Sequence, residues 1–240
     1  MRGGGETARG VGPLRTRPLG SDGARLTTIG FGAWAVGGTS GEVGLGQVDD
    51  EQSIAAIRAA VEAGMNWIDT APAYGHGHSE EIVRRALEPY RAGEDVLVFT
   101  KCGIAWEGGF ALDSSPRAIR AGAEASLRRL GVERLDALQI HWPGSIAPGD
   151  LEESWATLAA LVDEGKVRWI GASNFDVALL ERCNGVRHVD LVEPPLSLLR
   201  RGARSEIVPW CERNGTAVIV YSPLAIGLLT GAYDLSLIHI

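Results

Sequence analysis

The sequence has no long apolar run, no paired cysteines and no excess of positive charge, and each absence argues against a class of function. No stretch of the 240 residues approaches the roughly 18 consecutive apolar side chains that a membrane-spanning helix needs. The amino-terminal MRGGGETARGVGP carries arginines but no apolar segment. It lacks the form of a secretory leader, and residues 1–13 read as a flexible Gly-rich tail. Cys102, Cys183 and Cys211 stand far apart, form no CxxC pair and are odd in number. That pattern fits a reduced, cytoplasmic protein better than a disulfide framework or a zinc site. A net charge of −7 argues against nucleic acid or an anionic membrane as the main partner. A GxGxxG motif is also missing from the first strand–helix unit, so a doubly wound dinucleotide-binding fold has little support.

What is present is a regular alternation of two periods. At 45% apolar and 22% charged residues, the composition suits one soluble domain of α/β barrel size. LRTRPLGSDGARLTTIGFG, from Leu14, predicts a β-hairpin around Asp22-Gly23. Amphipathic helical stretches follow near residues 50–63, 79–88, 116–130, 151–164, 176–183 and 203–213. Short apolar runs lie between them at 67–69, 96–101, 135–141, 167–173, 189–193 and 217–222. Asp49 or Asp50, Ser79 and the pair Ser115-Pro116 are candidate helix starts. Gly64, Gly131, Gly165 and Gly215 are candidate stops. Apolar strands joined by helices predict a parallel sheet covered on its faces, and the steady repeat favours a (β/α)8 TIM barrel.

From Phe31 to Tyr221 the pattern supplies seven strands where a closed barrel has eight. The expected fold is therefore an incomplete barrel over residues 14–234. Leu235–Ile240, LSLIHI, back-translates to CTG TCT CTT ATA CAC ATC, which is similar to the transposase adapter used in sequencing libraries. Residues 235–240 are expected to be a non-native tail. Genomic DNA beyond codon 234 checks this, and an in-frame stop directly after native codons for LSLIHI overturns it.

Chemistry on parallel barrels collects at the C-terminal ends of the strands. Here those ends carry Asp69 with Tyr74 in the following loop, then Lys101, His141, Ser173-Asn174, Glu193 and Tyr221-Ser222. Singly, an Asp or Lys at a strand end is commonly a cap or a solvated charge, and a lone His a satisfied core residue. Their joint occurrence carries the functional reading. GMNWIDTAPAYGHGHSEE, VFTKCG, LQIHWP, GASNF and YSPLAIGLLTG, in this order, resemble the signatures of the aldo-keto reductases over roughly Leu26 to Gly231. HWP and EPPLSLLRR are most similar to the bacterial stress-type branch.

The resemblance implies an NAD(P)H-dependent oxidoreductase acting on aldehydes, ketones or the matching alcohols, with Tyr74 as proton donor. Lys101 and Asp69 tune it and His141 positions the substrate. A neighbouring ammonium is expected to lower the Tyr74 pKa from its free value near 10. The cofactor expected by resemblance is NADPH, with NADH not excluded. Ser173 and Asn174 are expected on the carboxamide and Tyr221 against the ring. Ser222, Leu224, Gly227 and Leu228 are expected along the pyrophosphate, and Gly32, Ala33 and Trp34 beside the ribose and substrate. Glu193 replaces the family's usual Gln. A carboxylate near the ring is expected to favour the cationic oxidised nicotinamide. Trp106 and Trp142 are candidates for an apolar substrate wall. His76 and His78 form an HxH pair with no third ligand at suitable spacing, which favours a loop above the site over a metal centre. A cofactor-binding regulatory subunit with slow or no turnover is the competing function.

Overall fold

The computed structural model describes residues 13–19, 24–38, 46–105, 111–147 and 149–231. The tail 1–12, the Asp22-Gly23 turn, Trp106 and the segment 232–240 lie outside the described residues. Strands β1 (Thr16–Leu19) and β2 (Ala24–Thr27) form the expected antiparallel hairpin. The main chain path then runs β3 (Phe31–Gly32), α1 (Asp50–Glu62), β4 (Trp67–Asp69), α2 (His78–Leu87) and β5 (Leu97–Cys102). A second hairpin follows, β6 (Ile104–Ala105) with β7 (Ala111–Leu112), which the apolar pattern did not predict because each strand has only two residues. The path continues through α3 (Pro116–Leu130), β8 (Leu135–Ile140), α4 (Leu151–Asp163) and β9 (Val167–Ser173). It ends with α5 (Val177–Val186), β10 (Leu191–Glu193), α6 (Ile207–Asn214) and β11 (Ala217–Val218).

Seven strands form one curled parallel sheet in the order β11-β10-β9-β8-β5-β4-β3, the half-closed barrel the strand count implied. Two apolar cores follow from the two-residue side-chain period of each strand. Val98 and Cys102 of β5, Leu138 and Ile140 of β8, and Ile170 and Ala172 of β9 face the helices. Leu97, Phe99, Ala137, Trp169, Leu191 and Ile219 face inward, where Leu19 and Leu26 of the hairpin pack against them. The hairpin thus joins the inner core.

Helix ends follow local chemistry. Asp49 caps α1 by accepting from the Gln52 N–H, and Ser115 caps α3 from Ala118 with Pro116 at the first turn. Gly131 and Gly215 end α3 and α6 in left-handed conformation. Ser79 is a correction: α2 begins at His78 after Gly77, and the Ser79 hydroxyl is buried. It bonds the Ala33 carbonyl at 2.9 Å and the Thr70 hydroxyl at 2.8 Å, so tertiary contacts took the oxygen that a cap would have used. The last strand is shorter than expected, with Tyr221 joined to Pro195 only by an isolated bridge. Among the described residues, no helix is long and apolar enough to cross a membrane.

Candidate active site

The inward-facing register that buries Phe99, Ala137 and Leu191, and partly buries Trp67, continues upward into polar residues. Two residues on from each stand Asp69, Lys101, Gln139 and Glu193, on the same face of four different strands. All four are buried. Lys101 Nζ lies 2.5 Å from Asp69 Oδ2, 3.3 Å from Glu193 Oε2, 3.2 Å from the Thr70 carbonyl and 3.4 Å from the Tyr74 hydroxyl. Gln139 Nε2 bridges the two carboxylates, donating to Glu193 Oε2 at 3.0 Å and more weakly to Asp69 Oδ1 at 3.4 Å.

Tyr74 sits in the loop after β4, and close backbone approach holds that loop. Gly75 has φ 67, and a Cβ built there falls 1.9 Å from the Gly37 carbonyl. Any larger residue would push the tyrosine loop off the chain after β3. The His141 ring meets the Tyr74 ring edge-on at 5.9 Å and stacks on Trp142 at 6.1 Å. The structure therefore brings the four sequence-predicted catalytic residues into one cluster.

Electrostatics there depart from expectation. Tyr74 is pushed up to about 12, not down. Burial is the largest cause; Lys101 pulls the other way, as expected, while Asp69 and Glu193 oppose it. Burial outweighs the pull of Lys101, whose charge is moreover shared between two carboxylates. Burial alone would pull the Lys101 ammonium down; Asp69 and then Glu193 outweigh it and hold it well above its ordinary range. Asp69 is raised to about 7, first by burial and then by the charge of Glu193. Burial and the charge of Lys101 lower His141 to about 3, so its ring is neutral at ordinary pH.

The expected cofactor residues form a chain of contacts around the sheet's upper rim. Asn174 has φ 65, and its amide donates to the His141 carbonyl and to the Ser173 hydroxyl, both at 3.0 Å. Tyr221 donates its hydroxyl to Asn174 Oδ1 at 2.7 Å. Ser173 donates to the Glu193 carbonyl at 3.1 Å. Gly32 has open space where a Cβ would stand, while Ala33 is buried and takes the Asp69 carbonyl at 2.8 Å through its N–H. Trp34 opens the short turn Ala35–Gly37. In the loop after β11, Ser222 and Gly227 have positive φ and the side chains of Leu224 and Leu228 are exposed. The Leu228 N–H is already donated to the Ala225 carbonyl at 3.2 Å. His78 bonds Asp50 at 2.9 Å, tying α2 to α1.

Two features escaped the sequence reading. Gln139 is in the cluster, and the signal for it was available: it lies two residues before His141, on the inward face of β8. The second is the partner of Glu193. Its Oε2 turns to Lys101 and Gln139, a contact between β10, β5 and β8 that no local pattern encodes.

Comparison with known proteins agrees with this geometry. Over 210 residues the chain is 37% identical to the aldo-keto reductase YhdN of Bacillus subtilis, covering 87% of this chain and 62% of that protein. The chain thus spans less than two thirds of that relative's length. It is 40% identical over 231 residues to the NADH-specific methylglyoxal reductase of Escherichia coli, covering 91% and 70%. Among solved structures, the glycerol dehydrogenase AKR11B4 from Gluconobacter oxydans superposes with a TM-score of 0.82 at 38% identity, covering 92% of this chain and 67% of that one. An aldo/keto reductase from Klebsiella pneumoniae in complex with NADP and acetate gives 0.74 at 30%, covering 91% and 71%. The Aldo/keto reductase family model matches residues 28–239, and the chain belongs to that family.

Proposed function

We propose that the chain carries the catalytic centre of an NAD(P)H-dependent oxidoreductase that reduces aldehydes or ketones, or oxidises the matching alcohols. The observation that carries this reading is the Tyr74 hydroxyl 3.4 Å from a lysine clamped between two buried carboxylates, with a neutral imidazole ring edge-on to it. Bound NAD(P)H supplies the hydride. The protein's part is the proton. Tyr74 donates its hydroxyl proton to the carbonyl oxygen as negative charge develops there, and Lys101 stabilises the phenolate left behind. His141, uncharged, orients the carbonyl oxygen without competing as an acid. Asp69 fixes the ammonium.

The donor set suits a carboxamide and a flat ring. Asn174 offers an amide, Ser173 a hydroxyl, and Tyr221 an aromatic face in direct contact with Asn174. The open space at Gly32 is compatible with a ligand against β3. Ser222, Leu224 and Gly227 are assigned to the pyrophosphate on resemblance, and Leu228 would first have to release its bond to Ala225. Trp142, exposed and stacked on His141, is assigned to the substrate wall. NADPH is the first choice, supported by the Klebsiella complexes with NADP and NADPH. NADH remains in the proposal because the Escherichia coli relative is named NADH-specific. The partner is a small carbonyl compound, and the proposed location is the cytoplasm.

The test is oxidation of NADPH and of NADH, each followed by its absorbance, with a reactive aldehyde. Turnover with at least one is expected. A folded chain that binds either cofactor and turns over neither would overturn the reading in favour of a cofactor-binding regulatory subunit.

A further inference from the structure

Lys101 has more negative charge around it than one ammonium can balance. Its Nζ meets Asp69 at 2.5 Å and Glu193 at 3.3 Å, and both carboxylates are buried. Among the described residues, the other titratable groups facing the cluster are Tyr74 from the loop after β4, His141 from the end of β8 and Tyr221 from beyond β11. None adds a positive charge near neutral pH. With both carboxylates ionised the buried cluster carries a net negative charge, an arrangement that favours uptake of a proton. The two carboxylates are not held alike. Asp69 Oδ2 has the closer contact to Lys101, while Glu193 Oε2 receives Gln139 at 3.0 Å besides Lys101, and Gln139 also reaches Asp69 Oδ1 at 3.4 Å. Gly171 keeps that bridge in place: a Cβ there would fall 3.1 Å from Gln139 Cγ and 2.7 Å from Leu191.

We propose that Glu193 is a second counter-ion of Lys101, and that the buried Asp69–Glu193 pair shares one proton. Glu193 is then a positioning residue. It acts on Tyr74 through Lys101 and Asp69, rather than on the nicotinamide ring. Asp69 being raised to about 7, with Glu193 second only to burial among the causes, agrees with the geometry.

The first measurement needs no cofactor and no turnover. Infrared titration of the chain should show the carbonyl stretch of a protonated carboxyl at pH 6, fading with a midpoint of about 7. Asp69→Asn should remove the band, which assigns it to this pair, since Glu193 is then left with Lys101 alone. Asp136, also raised by burial, serves as a control, because Asp136→Asn should leave the band in place. Glu193→Gln and Glu193→Leu should both abolish the band at pH 6, since Asp69 then pairs with Lys101 alone and ionises. A band that survives these changes, or its absence from the unaltered chain, overturns the proposal. Unaltered protein and Asp69→Asn suffice if neither Glu193 variant folds.

A kinetic arm rests on the reductase reading. The ionisation near neutrality in the pH profile of kcat/KM should disappear in Glu193→Gln. The alkaline limb should move to lower pH by about one unit or more, because removing a negative charge eases ionisation of Tyr74. An infrared band that behaves as expected in a chain without turnover would sink only the reductase reading.

Discussion

Tyr74→Phe is expected to lower kcat for carbonyl reduction by about 10²–10⁴-fold, the usual contribution of a positioned general acid. KM should change little, because the ring and its edge contact with His141 are kept. Only the hydroxyl 3.4 Å from Lys101 is lost. The pH profile makes the prediction sharper. The unaltered Tyr74, pushed up to about 12, is protonated throughout the neutral range and available as a donor. Loss of proton donation by ionisation of Tyr74 should therefore appear only in strongly alkaline solution. His141, lowered to about 3, should contribute no limb between pH 5 and pH 8. Steady-state kinetics of both proteins across that range check the prediction. Equal kcat values would remove Tyr74 from the proton-transfer step.

Lys101→Met is expected to be the most damaging single substitution at the site, and its effect reaches stability as well as rate. Removing one partner of a buried ion pair typically costs about 3–5 kcal/mol, because the remaining charge is left uncompensated. Here the Asp69–Glu193 pair would be left without its cation. For a domain of this size the thermal midpoint should fall by on the order of 10 °C near neutral pH. The sign of the pH dependence can be worked out. Lys101 is held above its ordinary value of 10.5 in the folded chain. Its stabilising contribution, which needs an ionised carboxylate beside it, is present below that value and is lost as pH rises through the folded value. Asp69, already raised above 3.8 in the folded chain, loses the opposing pull of Lys101 in the variant and rises further. A folded-state carboxyl with a raised pKa destabilises increasingly as pH climbs from the unfolded value through the folded one. The gap in melting temperature should thus be small near pH 4 and widen through neutrality. A gap independent of pH would mean that the lysine acts by packing alone.

The same physics explains what was legible without coordinates. The 3.6-residue and two-residue periods are local, so helices from Asp50, Pro116 and Leu151 and strands such as Val167–Ser173 appear almost where the pattern placed them. Side-chain caps at Asp49 and Ser115 are equally local. Ser79 was misread because its oxygen bonds Ala33 and Thr70, and Ala33 is 46 positions away. The pair β6 and β7 was missed because two residues are too few to carry a period.

At the site, the sequence by itself determined which residues stand at the strand ends, since parity along each strand fixes the side on which a residue emerges. Asp69, Lys101 and Glu193 all emerge inward for that reason. Parity also places Gln139 inward, although only the assembled sheet shows why that matters. The tertiary structure alone decided the partners and the charge balance. Curling the sheet brings β10 close enough to β5 for Glu193 to meet Lys101 at 3.3 Å, across 92 positions of sequence. Burial then outweighs the charge of the lysine, so Tyr74 rises where a pairwise argument has it fall. A desolvation cost depends on everything packed around a group, and no segment of sequence contains it.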